Sequence, residues 1–151
     1  MTIRILIDAD ACPVKEEVYK VALRHGVAVT VISNSPIRIP KHELIDRVVV
    51  GAAFDAADDW IAERVSAETV CITGDILLAD RCLKAGATVI APNGKAFTAS
   101  SIGNAIAVRA IMADLRAGGE AVGGPAPFTK ADRSRFLSAL DEALVRQMRR
   151  R

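Results

Sequence analysis

The sequence predicts an α/β fold: a five-stranded, mainly parallel sheet flanked by helices, with two further helices at the C-terminus. Short apolar runs alternate with helical patterns over residues 1–97, and only helical patterns follow over residues 98–151. The apolar runs are continuous, which is typical of parallel strands covered on both faces. A length of 151 residues fits one domain, so we expect residues 1–151 to form a single unit.

Five apolar runs of strand length predict the strands, and each ends at a turn or polar residue. They cover residues 3–7, 27–32, 47–50, 69–73 and 87–91. The connections between successive strands favour right-handed crossovers and a parallel order. The segment between the second and third runs contains two prolines and predicts an extended loop with one helical turn.

Helix boundaries are marked by residues that suit helix ends. Pro13 opens the first helical pattern, because its missing N–H has no partner in a first turn, and Gly26 suits its C-cap. A second helix is expected to begin near Asp55. Thr129 with Asp132 resembles a capping box and opens the last helix.

The two C-terminal helices each carry an apolar stripe that we expect to face the core. The stripe of the first helix consists of Val108, Ile111, Met112 and Leu115. That of the second consists of Leu137, Leu140, Leu144 and Met148. The connection over residues 117–127 is rich in glycine and proline, which predicts a mobile loop.

Composition excludes several classes of protein. The chain is 51% hydrophobic with a net charge of +2, which is too weak by itself to indicate nucleic-acid binding. Three cysteines without metal-ligand spacing favour a reducing compartment over a disulfide framework. No apolar run approaches the ~20 residues of a membrane span, and no signal peptide is apparent. We therefore expect a cytoplasmic protein without membrane contact.

Carboxylates gather where the predicted strands end. Asp8 and Asp10 follow the first strand, and Asp75 follows the fourth. Because parallel strands place their carboxyl ends on one edge of the sheet, these side chains are expected to lie close together. The helix near Asp55 enters at the same edge, and Asp58 and Asp59 lie in its first turn.

This acidic pattern predicts a site for a hard divalent cation. Like charges at helical spacing repel one another, and Mg²⁺ or Mn²⁺ removes that penalty. Both ions prefer carboxylate and water oxygens, which matches aspartates without a nearby histidine. The expected metal ligands are Asp8, Asp58, Asp59 and Asp75, and the expected catalytic residues are Asp8, Asp10, Asp59 and Asp75.

Each aspartate also has an ordinary structural interpretation. Asp58 and Asp59 can complement the positive end of a helix, and Asp75 can be an N-cap. Asp80 has Lys84 four residues later, which is the spacing of a surface ion pair. Cys12 lies beside a helix N-terminus, a position that lowers a thiol pKa, but no arginine follows at the spacing of a tyrosine-phosphatase loop.

Four segments resemble the bacterial YaiI/YqxD family, in the same order along nearly the whole chain. They are residues 8–15 (DADACPVK), 54–61 (FDAADDWI), 73–79 (TGDILLA) and 124–133 (GPAPFTKADR). That family is similar to PIN-domain proteins, so the resemblance implies a PIN-like, Rossmannoid domain. PIN nucleases use Mg²⁺ or Mn²⁺ to hydrolyse RNA.

The PIN resemblance implies roles for individual residues. Asp8 matches the aspartate after the first PIN strand. Asp58 or Asp59 matches the acidic residue on the helix before the fourth strand, and Asp75 matches the aspartate of a Thr-x-Asp pattern after that strand. Glu43 is the nearest counterpart of a further PIN glutamate. The implied reaction is in-line attack of an activated water on an RNA phosphodiester, leaving a 5′-phosphate.

RNA is the partner that this reaction implies, and several residues are suited to contact its backbone. The expected substrate-binding residues are Lys15, Ser33, Asn34, Arg38 and Lys41. The terminal run over residues 149–151 adds three arginines, which suit either non-specific affinity for RNA or a solvated helix end.

Two other functions fit parts of the same pattern. A PIN-like module that binds RNA or protein without catalysis would keep the acidic site but cleave nothing. A haloacid-dehalogenase-like phosphatase would use Asp8 as nucleophile and Asp10 as general acid, but its expected lysine has no clear position.

Overall fold

A computed structural model of the chain describes residues 2–10, 12–53, 55–119 and 127–150. Its strands are β1 (Arg4–Asp8), β2 (Ala28–Ser33), β3 (Ile45–Val49), β4 (Thr69–Ile72), β5 (Thr88–Ile90) and β6 (Ala96–Phe97). Its helices are α1 (Lys15–His25), α2 (Ala56–Ala62), α3 (Ile76–Lys84), α4 (Ala99–Ala117) and α5 (Lys130–Arg149).

The strands form one sheet in the order β3-β2-β1-β4-β5-β6, as expected for a mainly parallel α/β fold. The first five strands are parallel, and β6 pairs antiparallel with β5. The sequence did not predict β6, because a strand of two residues carries no readable pattern. The loop before β3 contains no helical turn, and β3 begins at Ile45, earlier than the predicted residue 47.

Each face of the sheet is covered by its own apolar core. Ile5 and Ile7 of β1 point to the face covered by α1 and α5, whereas Leu6 points to the face covered by α2, α3 and the start of α4. Both faces are therefore buried, which explains why the strand sequences are continuously apolar.

The predicted helix ends are largely confirmed, with one exception. α1 begins at Lys15 with Val14 as its N-cap, so Pro13 precedes the helix and does not lie in its first turn. Gly26 adopts the left-handed conformation, with φ of 68°, at the end of α1. Thr129 accepts from the backbone N–H of Asp132, whose carboxylate accepts from Thr129 N in return. Most of the glycine- and proline-rich connection predicted over residues 117–127 lies outside the described residues.

The last two helices differ in how they bury their apolar stripes. In α5, Leu140 and Leu144 are buried as predicted, and Phe136 joins them. Leu137 and Met148 are only partly buried and pack against the same core.

The stripe of α4 is exposed, so its expected inward orientation was wrong. Ile102 alone is fully buried in this helix, and the predicted inward residues are 36–56% exposed. Those residues are Val108, Ile111, Met112 and Leu115. Only the N-terminal turns of α4 reach the core, and no other described element covers the stripe. Within the described residues, every helix is too short or too polar to cross a membrane.

Candidate acidic site

The topology places the carboxyl ends of β1 and β4 side by side. The chain passes from β1 to β2 on one side and later returns to β4 on the other. In open α/β sheets such a switch point forms a crevice where ligands bind. Asp8 ends β1, and the turn from Thr73 to Asp75 follows β4.

Asp8 lies at the centre of this crevice and is half-buried. The Thr73 hydroxyl donates a hydrogen bond of 2.8 Å to Asp8 Oδ2. Burial raises the pKa of Asp8 from 3.8 to about 6, although the Thr73 hydrogen bond opposes the shift. The charges of Asp58, Asp10 and Asp75 contribute to the same rise in the pKa of Asp8. Asp8 therefore carries its negative charge at a cost.

The turn after β4 is held by hydrogen bonds to its own side chains. Thr73 is buried, and its hydroxyl also accepts from Asp75 N at 3.0 Å. Asp75 Oδ1 in turn accepts from the backbone N–H groups of Leu77 and Leu78, at 2.9 and 3.1 Å. Asp75 is thus the N-cap of α3, which confirms its structural interpretation. Its second carboxylate oxygen is not used by the cap.

The neighbouring aspartates of α2 point in different directions. Asp58 lines the crevice, and burial raises its pKa, with further contributions from Asp75 and Asp55. Asp59 instead forms an ion pair with Arg81 on α3, in which Arg81 Nη1 lies 2.8 Å from Asp59 Oδ1. Both side chains are about half exposed. Of the two candidates that the resemblance left open, Asp58 is the one beside Asp8.

A cavity of about 610 Å³ occupies the crevice, which we call the acidic pocket. Its charged lining consists of Asp8, Asp10, Asp55, Asp58, Asp75, Arg81 and Arg109. Asp59 is not part of this lining. Arg109 comes from α4 and was not anticipated, because its distance along the chain gives no signal that α4 passes the pocket.

The donor set of the acidic pocket consists of carboxylate oxygens, which suit Mg²⁺ or Mn²⁺. In the described part of the chain, no three His, Cys, Asp or Glu side chains are grouped as a ready set of metal ligands. Mg²⁺ usually keeps several waters and binds through one or two carboxylates together with substrate phosphates, so it needs no complete protein cage. Of the lining carboxylates, Asp8 and Asp58 are the two with raised pKa values, and Asp75 has one oxygen that its cap does not use.

None of the predicted substrate-binding residues lines this pocket. Lys15 Nζ donates to Cys12 O at 2.9 Å, and Ser33 is buried with its hydroxyl bonded to Ser35 O. Asn34 is exposed in the turn after β2. Arg38 and Lys41 line a separate cavity beside β3.

Other candidates also do not line the acidic pocket. Glu43 is exposed in the loop before β3 and does not line the pocket. Cys12 is buried, and burial raises the pKa of its thiol, contrary to the lowered pKa suggested by the helix start. Asp80 and Lys84 form the expected surface ion pair at 2.9 Å. Arg149 and Arg150 are exposed at the end of α5, and residue 151 lies outside the described residues.

Comparison with known proteins identifies the family. The model of the "Uncharacterized BCR, YaiI/YqxD family" matches residues 6–146. The chain belongs to the YaiI/YqxD family. It is 70% identical to a UPF0178 protein of Sphingopyxis alaskensis, over 96% of this chain and 95% of that protein. A UPF0178 protein of Nitrobacter winogradskyi is 60% identical, over 98% of this chain and 94% of its own length. No solved structure gives a significant match.

Proposed function

We propose that this member of the YaiI/YqxD family is a Mg²⁺- or Mn²⁺-dependent phosphodiesterase that hydrolyses RNA at the acidic pocket. The observation that carries the proposal is the convergence of Asp8 with Asp10, Asp58 and Asp75 at the strand switch point. Burial and the charges of these neighbours raise the pKa of Asp8, in keeping with this arrangement. Such an arrangement is unfavourable without a counter-charge, and perturbed carboxylates in a crevice are typical of functional sites. The choice of RNA follows the PIN resemblance.

Asp8, Asp58 and Asp75 are the residues proposed to hold the cation. When bound, a divalent cation neutralises developing phosphoryl charge and lowers the pKa of a coordinated water. Thr73 orients Asp8 through its 2.8 Å hydrogen bond and also fixes the turn that carries Asp75. Asp10, which is exposed at the rim, is suited to orient the attacking water.

Arg81 and Arg109 supply the positive charge of the pocket. A guanidinium binds phosphate oxygens in two parallel hydrogen bonds, which suits recognition of a phosphodiester. Arg81 is held by Asp59, whereas Arg109 projects from α4. In this proposal Arg109 contacts the substrate phosphate and Arg81 sets the potential of the pocket wall.

The direct test combines metal binding with RNA cleavage. Titration calorimetry with Mn²⁺ and cleavage of a labelled RNA pool are compared for the parent, Asp8→Asn, Asp58→Asn and Asp75→Asn. Asp46→Asn is the control, because Asp46 is an exposed aspartate on β3 outside the pocket. Loss of binding and cleavage in the pocket variants alone supports the proposal. A parent protein that binds no divalent ion at millimolar concentration contradicts it.

A second candidate is an RNA-binding module without catalysis. It is favoured by the structural uses of two aspartates: Asp75 caps α3, and Asp59 pairs with Arg81. This function predicts retention of RNA with no cleavage in Mg²⁺ or Mn²⁺. The phosphatase alternative predicts a beryllium fluoride adduct on Asp8, which a metal-only nuclease does not form.

A further inference from the structure

A second cavity, of about 600 Å³, lies beside the edge strand β3. Residues 36–42, Ile45 and Arg47 line it, and we call it the basic cavity. No lining residue is acidic. Four lining residues can donate hydrogen bonds from their side chains, namely Arg38, Lys41, His42 and Arg47. A surface whose polar side chains are all hydrogen-bond donors, three of them cationic, is suited to bind an anion.

The basic cavity is built on a loop that is anchored at several points. The side chains of Ile37 and Ile39 pack against the core on the α1 and α5 face. Pro36 and Pro40 restrict the backbone φ angles between and beside these anchors. Arg47 Nη1 donates to Ile37 O at 2.6 Å, which ties the loop to β3. The cationic residues are therefore presented by a defined backbone.

His42 contributes a further donor because its tautomer is constrained. Its Nδ1 accepts a hydrogen bond of 3.0 Å from the backbone N–H of Leu44. An acceptor nitrogen cannot carry the proton, so the neutral ring carries it on Nε2. The ring consequently offers an Nε2–H group in addition to the charges of Arg38 and Lys41.

Acidic side chains near the basic cavity do not neutralise it. Asp46 lies between Ile45 and Arg47 on β3, and alternation along a strand directs it to the opposite side. Glu43 is exposed and does not line the cavity. Among the described residues, no carboxylate lies within ion-pair distance of Arg38, Lys41 or Arg47.

We infer that the basic cavity binds backbone phosphates of the RNA strand whose cleavage site is held at the acidic pocket. The inference rests on the proposed function for the identity of the strand. Asp8 and Ile32 are paired on adjacent strands, and Arg38 follows Ile32 by six residues. At 3.3–3.6 Å per residue, Arg38 lies within roughly 22 Å of Ile32. The basic cavity is anchored on the α1 and α5 face of the sheet, whereas α3 and α4 line the acidic pocket on the other face, so one RNA strand must pass over the edge of the sheet to contact both. The substrate class is therefore single-stranded RNA of several nucleotides.

The test measures RNA binding without any metal, so that cleavage plays no part. A fluorescein-labelled single-stranded RNA of about 12 nucleotides, a length within the range of known single-strand sites, is titrated with full-length protein in EDTA. The cavity variant is Arg38→Ala with Lys41→Ala, neither of which donates a hydrogen bond within the described structure. The matched control is Lys20→Ala with Lys95→Ala, two exposed lysines outside both cavities.

The cavity variant is expected to bind RNA about tenfold more weakly at low salt, because two phosphate contacts are removed. The plot of log K against log[salt] has a negative slope, and its magnitude should fall by roughly 1.4, at about 0.7 for each lost contact with a single strand. The control should retain the affinity and slope of the parent. Parent-like binding by the cavity variant, an equal loss in the control, or no RNA binding by the parent overturns the inference.

Failure of this inference is distinguishable from failure of the proposed function. Hydrolysis of bis(p-nitrophenyl) phosphate in Mn²⁺ reports on the acidic pocket alone, because this substrate is too small to reach the basic cavity. The cavity variant should keep that activity, and its loss overturns the separation of the two sites. If the parent hydrolyses neither substrate yet the cavity variant still loses RNA affinity, RNA binding by the basic cavity stands, while the hydrolase proposal and the shared cleavage site fail.

Discussion

Two carboxylates of the acidic pocket, Asp8 and Asp58, form an inner pair that differs from an outer pair, Asp75 of the same pocket and Asp59 beside it. Each outer carboxylate has a partner that uses its charge: Asp59 pairs with Arg81, and Asp75 caps α3. The inner carboxylates are more buried, form no ion pair within the described residues, and have raised pKa values. Asp8 and Asp58 are therefore the two aspartates of the cluster whose negative charge has no structural use in the described residues.

Separate substitution of the adjacent aspartates of α2 should affect RNA cleavage very differently. Asp58→Asn should reduce kcat/KM for RNA cleavage in Mn²⁺ by at least about 100-fold, since loss of even an outer-shell partner of a metal costs 10–100-fold. Asp59→Asn should change it by no more than about twofold, because Asp59 points to Arg81. Equal losses in the two variants would remove the distinction between the pairs.

Stability of Asp8→Asn is the next test. The folded-state pKa of Asp8 is raised from 3.8 to about 6, so ionisation of Asp8 destabilises the fold as pH rises through this window. Asparagine keeps an acceptor for Thr73 without the charge. Urea unfolding in EDTA should show a gain of about 2 kcal/mol at about pH 8 and no gain below about pH 4.

The control for Asp8→Asn is Asp46→Asn, which changes an exposed aspartate on β3. It should alter the free energy of unfolding by no more than about 0.5 kcal/mol at either pH. A gain in Asp8→Asn that is independent of pH would contradict the assignment of the penalty to the ionised carboxylate.

Removal of the N-cap should destabilise the protein, in the opposite direction to the Asp8 variant. Asp75→Ala leaves the N–H groups of Leu77 and Leu78 without their acceptor, which should cost about 1 kcal/mol. Asp75→Ser, which retains a capping oxygen, should recover most of this loss. Chemical denaturation of both variants measures the effect, and a stabilising Asp75→Ala would show that repulsion outweighs the cap.

The smallest effect is expected at the exposed ion pair. Asp59→Ala removes the 2.8 Å contact with Arg81. The side chains of Asp59 and Arg81 are both about half exposed. Exposed pairs contribute about 0.2–1 kcal/mol, and about 1 M salt should abolish the difference from the parent. A gain in the free energy of unfolding would instead place Asp59 with the inner pair, where removal of the charge is expected to stabilise the fold.

The two long C-terminal helices show where sequence patterns are sufficient and where they are not. Both α4 and α5 were predicted from apolar residues at helical spacing, and both begin with a capping box. Leu140 and Leu144 of α5 are buried, whereas Ile111 of α4 is 56% exposed. Periodicity reports that one face of a helix is apolar, but burial depends on whether another element lies against that face.

The sequence by itself determined the parallel α/β class, the ends of most helices, and the edge of the sheet at which Asp8 and Asp75 meet. These are local or topological consequences: capping depends on neighbouring residues, and parallel strands must share their carboxyl edge. Tertiary structure alone decided that Asp58 faces Asp8 while Asp59 faces Arg81, and that Arg109 reaches the pocket from α4. Those outcomes depend on how helices distant in sequence are oriented against one another, which spacing along one helix does not encode.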